Sequence, residues 1–259
     1  MIRLPSIDGL IPQYRNDRDS YARGRRLRSS FAAYANRLAP VFVERLGKAE
    51  AAAVTDEARR EFDTLIPTIP FIGGRSNPLT WNLETSAMFL ALYRALNRHC
   101  IGPAEAGALF ERMIDRWLGS FPGVLLRLAG LWRFTPWYLG SIRRRAEWSH
   151  QRTHPADFVY DFVPSGARFD WGVDYTECAI VKYYGAQGAT ELVPYLCPID
   201  FQMSRAFGLG LRRERTIASG DGVCDFRFRR GAPTIQPGSV PVARAWAHAG
   251  DDAMHEGSD

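Results

Sequence analysis

The chain has 259 residues, 46% hydrophobic and 24% charged, a globular balance that excludes a low-complexity polymer or a disulfide-stapled miniprotein. Its formal charge is +5, and Lys48 and Lys182 are the only lysines beside an excess of arginine. No nucleic-acid motif accompanies that charge, so it is not read as a nucleic-acid footprint, and the runs Arg23 to Arg28, Arg143 to Arg145 and Arg212 to Arg215 read as solvated faces.

The opening stretch MIRLPSIDGLIPQYRNDRD has no apolar run of signal-peptide length and meets acids early, which reads as an unprocessed, cytoplasmic chain. Residues 1–20 carry no periodicity. From Ser20 to about Leu46, Leu27, Phe31, Tyr34 and Leu38 recur every three or four residues and predict a helix that Pro40 kinks or restarts. A second helix is expected from Ala49 to Ile66, ending at Pro67-Thr-Ile-Pro70, with Gly73 to Pro78 as a loop. Met88, Leu92 and Leu96 place a third over Leu83 to His99, and Pro103, favoured in a first helical turn, opens a fourth that runs to about Leu118.

The most apolar segment is Phe121 to Ile142, FPGVLLRLAGLWRFTPWYLGSI. Arg127, Arg133, two glycines and Pro136 argue against a bilayer span. The reading is a buried or groove-lining helical segment, with membrane-surface contact as the alternative. The histidine pair His150 and His154 has a spacing that can ligate metal but reads as a solvated helix end.

After residue 150 the pattern changes. Phe158 to Val163 and Phe169 to Tyr175 alternate around Pro164-Ser-Gly166, a hairpin with Phe169, Trp171, Val173 and Tyr175 on one face. Thr176 to Gln187 and Gly188 to Phe207 read as helical, the latter broken at Pro194 and Pro198. Leu209 to Ala218 and Gly222 to Arg230 form a second hairpin about Asp221-Gly222. The fold class is therefore α+β: a mostly helical region over 1–150, a β-β-α-α-β-β module with an antiparallel sheet over 151–231, and a disordered tail over 232–259.

The four cysteines, Cys100, Cys178, Cys197 and Cys224, contain no CxxC pair, and neither a disulfide framework nor a zinc ribbon follows. Cys100 reads as packing. In Leu196-Cys-Pro-Ile-Asp-Phe201 the proline favours Cys197 as N-cap and Asp200 as N3 of a helix, a setting that lowers a thiol pKa; a capping variant with a buried thiol is the other reading. Cys178 starts a helix and reads as structural; Glu177 beside it reads as one half of a solvated pair with Lys182. Alternation turns Cys224 toward Phe226 and Phe228 and leaves Asp225 on the other face. No P-loop, GxGxxG, HExxH or GxSxG is present.

Three stretches carry a resemblance: Tyr175-Thr-Glu-Cys-Ala-Ile-Val-Lys182, Glu191-Leu-Val-Pro-Tyr-Leu-Cys-Pro-Ile-Asp200 and Arg215-Thr-Ile-Ala-Ser-Gly-Asp-Gly-Val-Cys-Asp-Phe226. In this order they resemble the L-2-amino-thiazoline-4-carboxylic acid hydrolase family, tightly over about 150–230 and weakly over 83–148. The resemblance implies hydrolytic opening of a 2-amino-thiazoline ring to an N-carbamoyl cysteine, with Cys178, Cys197, Asp200 and Cys224 as the residues to carry over.

Such chemistry would use a cysteine thiolate, with Cys197 favoured and Cys224 second, and Asp200 as proton donor and water activator. Arg215 would hold the substrate carboxylate, with Glu177 and Lys182 as further substrate-binding candidates. No cofactor is predicted, and a metal held by the Cys/Asp cluster is left open. The expected partners are a small-molecule substrate and, for assembly, a second copy of the chain; nucleic acid and a membrane span are not expected. The apolar helices with Trp132 and Trp137 predict a substrate larger than aminothiazoline carboxylate. The hairpin also resembles 4-vinyl-reductase-type binding domains, which implies a second reading as a ligand- or metal-binding sensor or carrier, with a Cys/Asp metallohydrolase between the two.

Overall fold

The computed structural model describes residues 20–237. The irregular stretch expected at the N-terminus and most of the expected disordered tail lie outside them. The chain folds into two compact units that do not follow chain order. One holds the described residues up to Trp117, Thr153–Asp157 and Ala179–Leu196; the other holds Leu118–Arg152, Phe158–Cys178 and the described residues from Cys197 on.

In the first unit, α1 (Ser20–Leu46) runs unbroken through Pro40, and α2 (Lys48–Leu65) follows Gly47. Gly47 has φ 80° and ψ 164°, a positive-φ conformation that suits glycine. Next come α3 (Thr80–Arg98) and α4 (Pro103–Gly119), and after a gap in sequence α7 (Ala179–Ala186) and the short α8 (Val193–Leu196). Of the apolar stripe read from α1, Leu27 and Phe31 are buried, and Phe31 stacks on Phe62 at 4.8 Å between ring centres; between α3 and α4, Phe89 lies 4.7 Å from Phe110. Tyr184 of α7 is fully buried and donates its hydroxyl to the Ser86 carbonyl at 2.7 Å.

The first arginine run is a solvated face only in part: Arg25 and Arg28 are exposed, while Arg23 and Arg26 turn inward. Glu84 of α3 is buried, and Arg26 donates to it at 2.9 and 3.1 Å while Arg23 adds a contact at 3.3 Å. A carboxylate inside a helical core needs such partners, because its charge is no longer stabilised by water.

The second unit contains α5 (Gly123–Trp132), α6 (Pro136–Ser149), α9 (Ile199–Phe207) and the sheet. Its strands are β1 (Val159–Val163), β2 (Trp171–Glu177), β3 (Leu211–Arg212) and β4 (Cys224–Phe228), in the order β1-β2-β4-β3 with every neighbouring pair antiparallel. The fold is α+β with a small antiparallel sheet, as the patterning predicts. Trp171 stacks on Phe228 at 4.3 Å and Tyr175 meets Phe226 edge-on at 5.5 Å, so one face is aromatic. On the other face Arg227 binds Asp174 through two nitrogens at 2.6 and 3.1 Å.

Two local expectations change. The second hairpin is not closed by a tight Asp-Gly turn: β3 has two residues, and an eleven-residue connection leads to β4. Asp225 organises that connection by accepting from the Glu214 and Arg215 amides at 3.0 and 2.7 Å, and Asp221 accepts from Thr216 N at 2.8 Å. Gly220, with φ 92°, makes the left-handed turn. The described start of the tail is also ordered, since Ile235 donates its amide to Leu211 O at 2.9 Å.

The apolar segment Phe121 to Ile142 is not buried. It forms α5 and α6, and α5 meets α9 through Gly130, where a Cβ would stand 1.8 Å from the Phe207 carbonyl oxygen. That close approach fixes which side of α5 faces inward and leaves its leucines outward.

Candidate active site

Three elements of the second unit bring the chemistry-bearing residues together. Cys224 opens β4 directly opposite Tyr175 of β2, and Cys178 follows the last residue of β2. Cys197 sits in the turn before α9, whose first turn carries Asp200. The proton on Cys197 feels Asp200, Arg213, Cys178 and Cys224, so three thiols, a carboxylate and a guanidinium share one electrostatic neighbourhood.

The residue that organises this neighbourhood is Arg213, which the sequence reading placed on a solvated face. Its side chain is only 4% exposed. It donates from Nη1 to Asp200 Oδ2 at 2.6 Å and from Nη2 to the Cys197 carbonyl at 3.1 Å. The guanidinium lies 4.9 Å over the Phe201 ring and 5.0 Å over the Phe226 ring. Its Nε is buried and has no hydrogen-bond partner among the described residues. The missed signal was strand alternation: Leu211 points inward in β3, so Arg213 follows it in and Arg212 faces out.

Arg215 is exposed and turns back to Asp225 at 3.4 Å, which leaves it outside this cluster. Glu177 accepts from Arg152, while Lys182 of the first unit donates to the Pro155 and Asp157 carbonyls, each at 2.9 Å. Cys100 is exposed with a left-handed backbone, φ 62°, rather than packed.

Cys197 is not an N-cap. The helix begins at Ile199 with Pro198 at the cap position, and the Cys197 carbonyl accepts from Asp200 N at 3.3 Å. Burial, with Asp200 adding to it, pushes the Cys197 thiol up to about 12 against the pull of Arg213. The expected lowering by a helix terminus is overturned, because desolvation outweighs it.

Burial also raises Cys224, but here the Ile217 amide donates to Sγ at 3.2 Å and, together with Arg213, works the other way. A donor aimed at sulfur favours the thiolate. The Asp200 carboxyl is raised as well: burial is the largest cause and Arg213 opposes it. Its side chain nonetheless keeps 47% of its surface accessible, so the group is crowded by protein yet open to small molecules. Tyr175 is held well above its ordinary value by burial, and Asp200 and Cys178 are among the charges it feels.

Among the described residues, no three His, Cys, Asp or Glu side chains converge as a metal site. No helix is long and apolar enough to cross a membrane, again among the described residues.

The fold and cluster define an α+β protein with thiols, a carboxylate and a guanidinium gathered at one end of the inner strands of a small antiparallel sheet. A family model described as L-2-amino-thiazoline-4-carboxylic acid hydrolase matches residues 81–228, more than half of the chain, and the chain belongs to that family. The match takes in Cys178, Cys197, Asp200, Arg213 and Cys224, and the family's name is that of a hydrolase. No curated protein and no solved structure matches the chain.

Proposed function

We propose that this protein hydrolyses a cyclic isothiourea of the 2-amino-thiazoline-4-carboxylate type, with Cys224 as nucleophile and Asp200 as acid and base. The observation that carries the reading is the Arg213–Asp200 pair, 2.6 Å apart, with three thiols around it. The family's name supplies the substrate class.

In this reading Cys224 attacks as the thiolate, favoured by the Ile217 amide on its sulfur. It adds to C2 of the ring, and Asp200 gives its proton to the ring nitrogen. The C2–S bond then breaks, and the ring sulfur leaves as a thiolate. What remains is an isothiouronium on Cys224. Asp200, now ionised, takes a proton from water as its oxygen attacks the same carbon. Expulsion of the Cys224 thiolate, with the remaining hydroxyl proton passing to the freed ring thiolate, completes the N-carbamoyl cysteine and leaves Asp200 protonated again. Arg213 positions Asp200 by donating to its carboxylate.

Proton NMR of protein incubated with 2-amino-thiazoline-4-carboxylate tests the reading. Signals of N-carbamoyl cysteine should accumulate with the native chain. Asp200→Asn should slow their appearance by about 10²–10⁴-fold, the usual range for losing a general acid–base. Unchanged substrate with the native chain would rule the reading out.

A further inference from the structure

We propose that α5 and α6 form a docking surface for an anionic lipid bilayer, which seats the protein on a membrane without crossing it. Exposed apolar side chains are ordinarily scattered. Here six of the large ones fall within 14 residues: Val124, Leu125, Leu128, Leu131, Trp132 and Trp137, with Val124 at 65% exposure and Trp137 at 81%. At about 100° per residue, Val124, Leu128 and Leu131 form one stripe of α5, with Leu125 and Trp132 along its edge. Gly130 lies on the opposite side, pressed against the Phe207 carbonyl of α9. The helix therefore turns its small-residue side to the protein and its leucine side to the medium.

Charge identifies what covers that stripe. Residues 118–145 contain five arginines (Arg127, Arg133, Arg143, Arg144 and Arg145) and no acid. The segment's formal charge of +5 thus equals that of the whole chain, and the remaining residues balance to zero. An apolar stripe beside a concentrated positive charge is the pattern of a helix lying at an anionic lipid interface.

The two exposed tryptophans flank the α5–α6 turn, and Trp132 lies 4.9 Å from the Tyr138 ring. Such amphipathic aromatic side chains concentrate at the headgroup level. With ten residues, α5 is about 15 Å long, half of what a span needs. A second copy is the poorer occupant, because a symmetric contact would set two +5 segments against each other.

The test is flotation of the full-length protein with vesicles of phosphatidylcholine alone and of phosphatidylcholine with one quarter phosphatidylglycerol. The bound fraction should be at least tenfold greater on the anionic vesicles and fall when salt is raised to about 0.5 M, where the screening length is a few ångström. Trp137→Ser with Leu128→Ser, and separately Arg143→Gln with Arg144→Gln, should each lower binding about tenfold or more. The arginine pair is scaled from about fivefold per cation. Turnover of the soluble substrate and Tm should stay unchanged in both variants. Equal, weak binding to the two vesicle types would overturn the proposal. So would a dimer in sedimentation velocity that Trp137→Ser dissociates, since the stripe would then belong to a protein interface.

Discussion

Arg213 stands 2.6 Å from Asp200, with a side chain almost wholly buried while that of its partner is half open. The guanidinium lowers the Asp200 carboxyl and both the Cys197 and Cys224 thiols, in each case against burial. One side chain therefore opposes the effect of burial at three groups of the cluster.

That relationship predicts a pH signature. The active form pairs a thiolate with a protonated carboxyl, so the acidic limb of kcat/KM follows Asp200 and the alkaline limb follows the thiol. Arg213→Met removes the influence that lowers both groups, and both limbs should move to higher pH. Arg213→Lys, which keeps the charge, should move them less. A lower Tm with unmoved limbs would reduce Arg213 to a structural role.

Thiol labelling separates the four cysteines. With its pKa pushed up to about 12, Cys197 is ionised about once in ten thousand molecules at pH 8. Peptide mapping after timed iodoacetamide treatment at pH 8 should find exposed Cys100 labelled first and Cys197 last, with Cys224 ahead of Cys197. Rapid labelling of Cys197 would restore it as the favoured nucleophile.

The contact between α5 and α9 has its own test. A Cβ at Gly130 would meet the Phe207 carbonyl at 1.8 Å, and backbone cannot swing aside as a side chain can. Gly130→Val should destabilise the fold by about 2–3 kcal/mol, the upper part of the range for overpacking, and lower Tm by roughly 4–12 °C for a chain of this size. Because α9 carries Asp200, kcat should fall as well. A variant with native Tm and kcat would show that the two helices part without cost.

Much of the fold was legible because it rests on periodicity. Leu27 and Phe31, or Trp171 and Val173, recur at the spacing their elements require, and their burial follows. Cys224 was also placed correctly, on the aromatic face beside Phe226 and Phe228. Tertiary context decided the rest. Cys197-Pro198 has the local form of a helix start, but desolvation by the surrounding chain reverses the expected effect on the thiol. Arg213 lies within Arg-Arg-Glu-Arg, where composition points to solvent; only the two-residue β3 reveals which side of the run turns inward. The α5 segment reads as buried or groove-lining, yet Gly130 gives α9 its contact and faces Leu125, Leu128 and Leu131 outward.

The central claim is that turnover passes through a bond between Cys224 and C2 of the substrate ring. Intact-mass and peptide analysis of protein mixed with 2-amino-thiazoline-4-carboxylate and quenched in acid within the first turnovers tests it most directly. The account predicts an isothiouronium adduct on the peptide that carries Cys224, absent in Cys224→Ser, which should not turn over. Undiminished hydrolysis by Cys224→Ser, with no adduct on any cysteine, would contradict it.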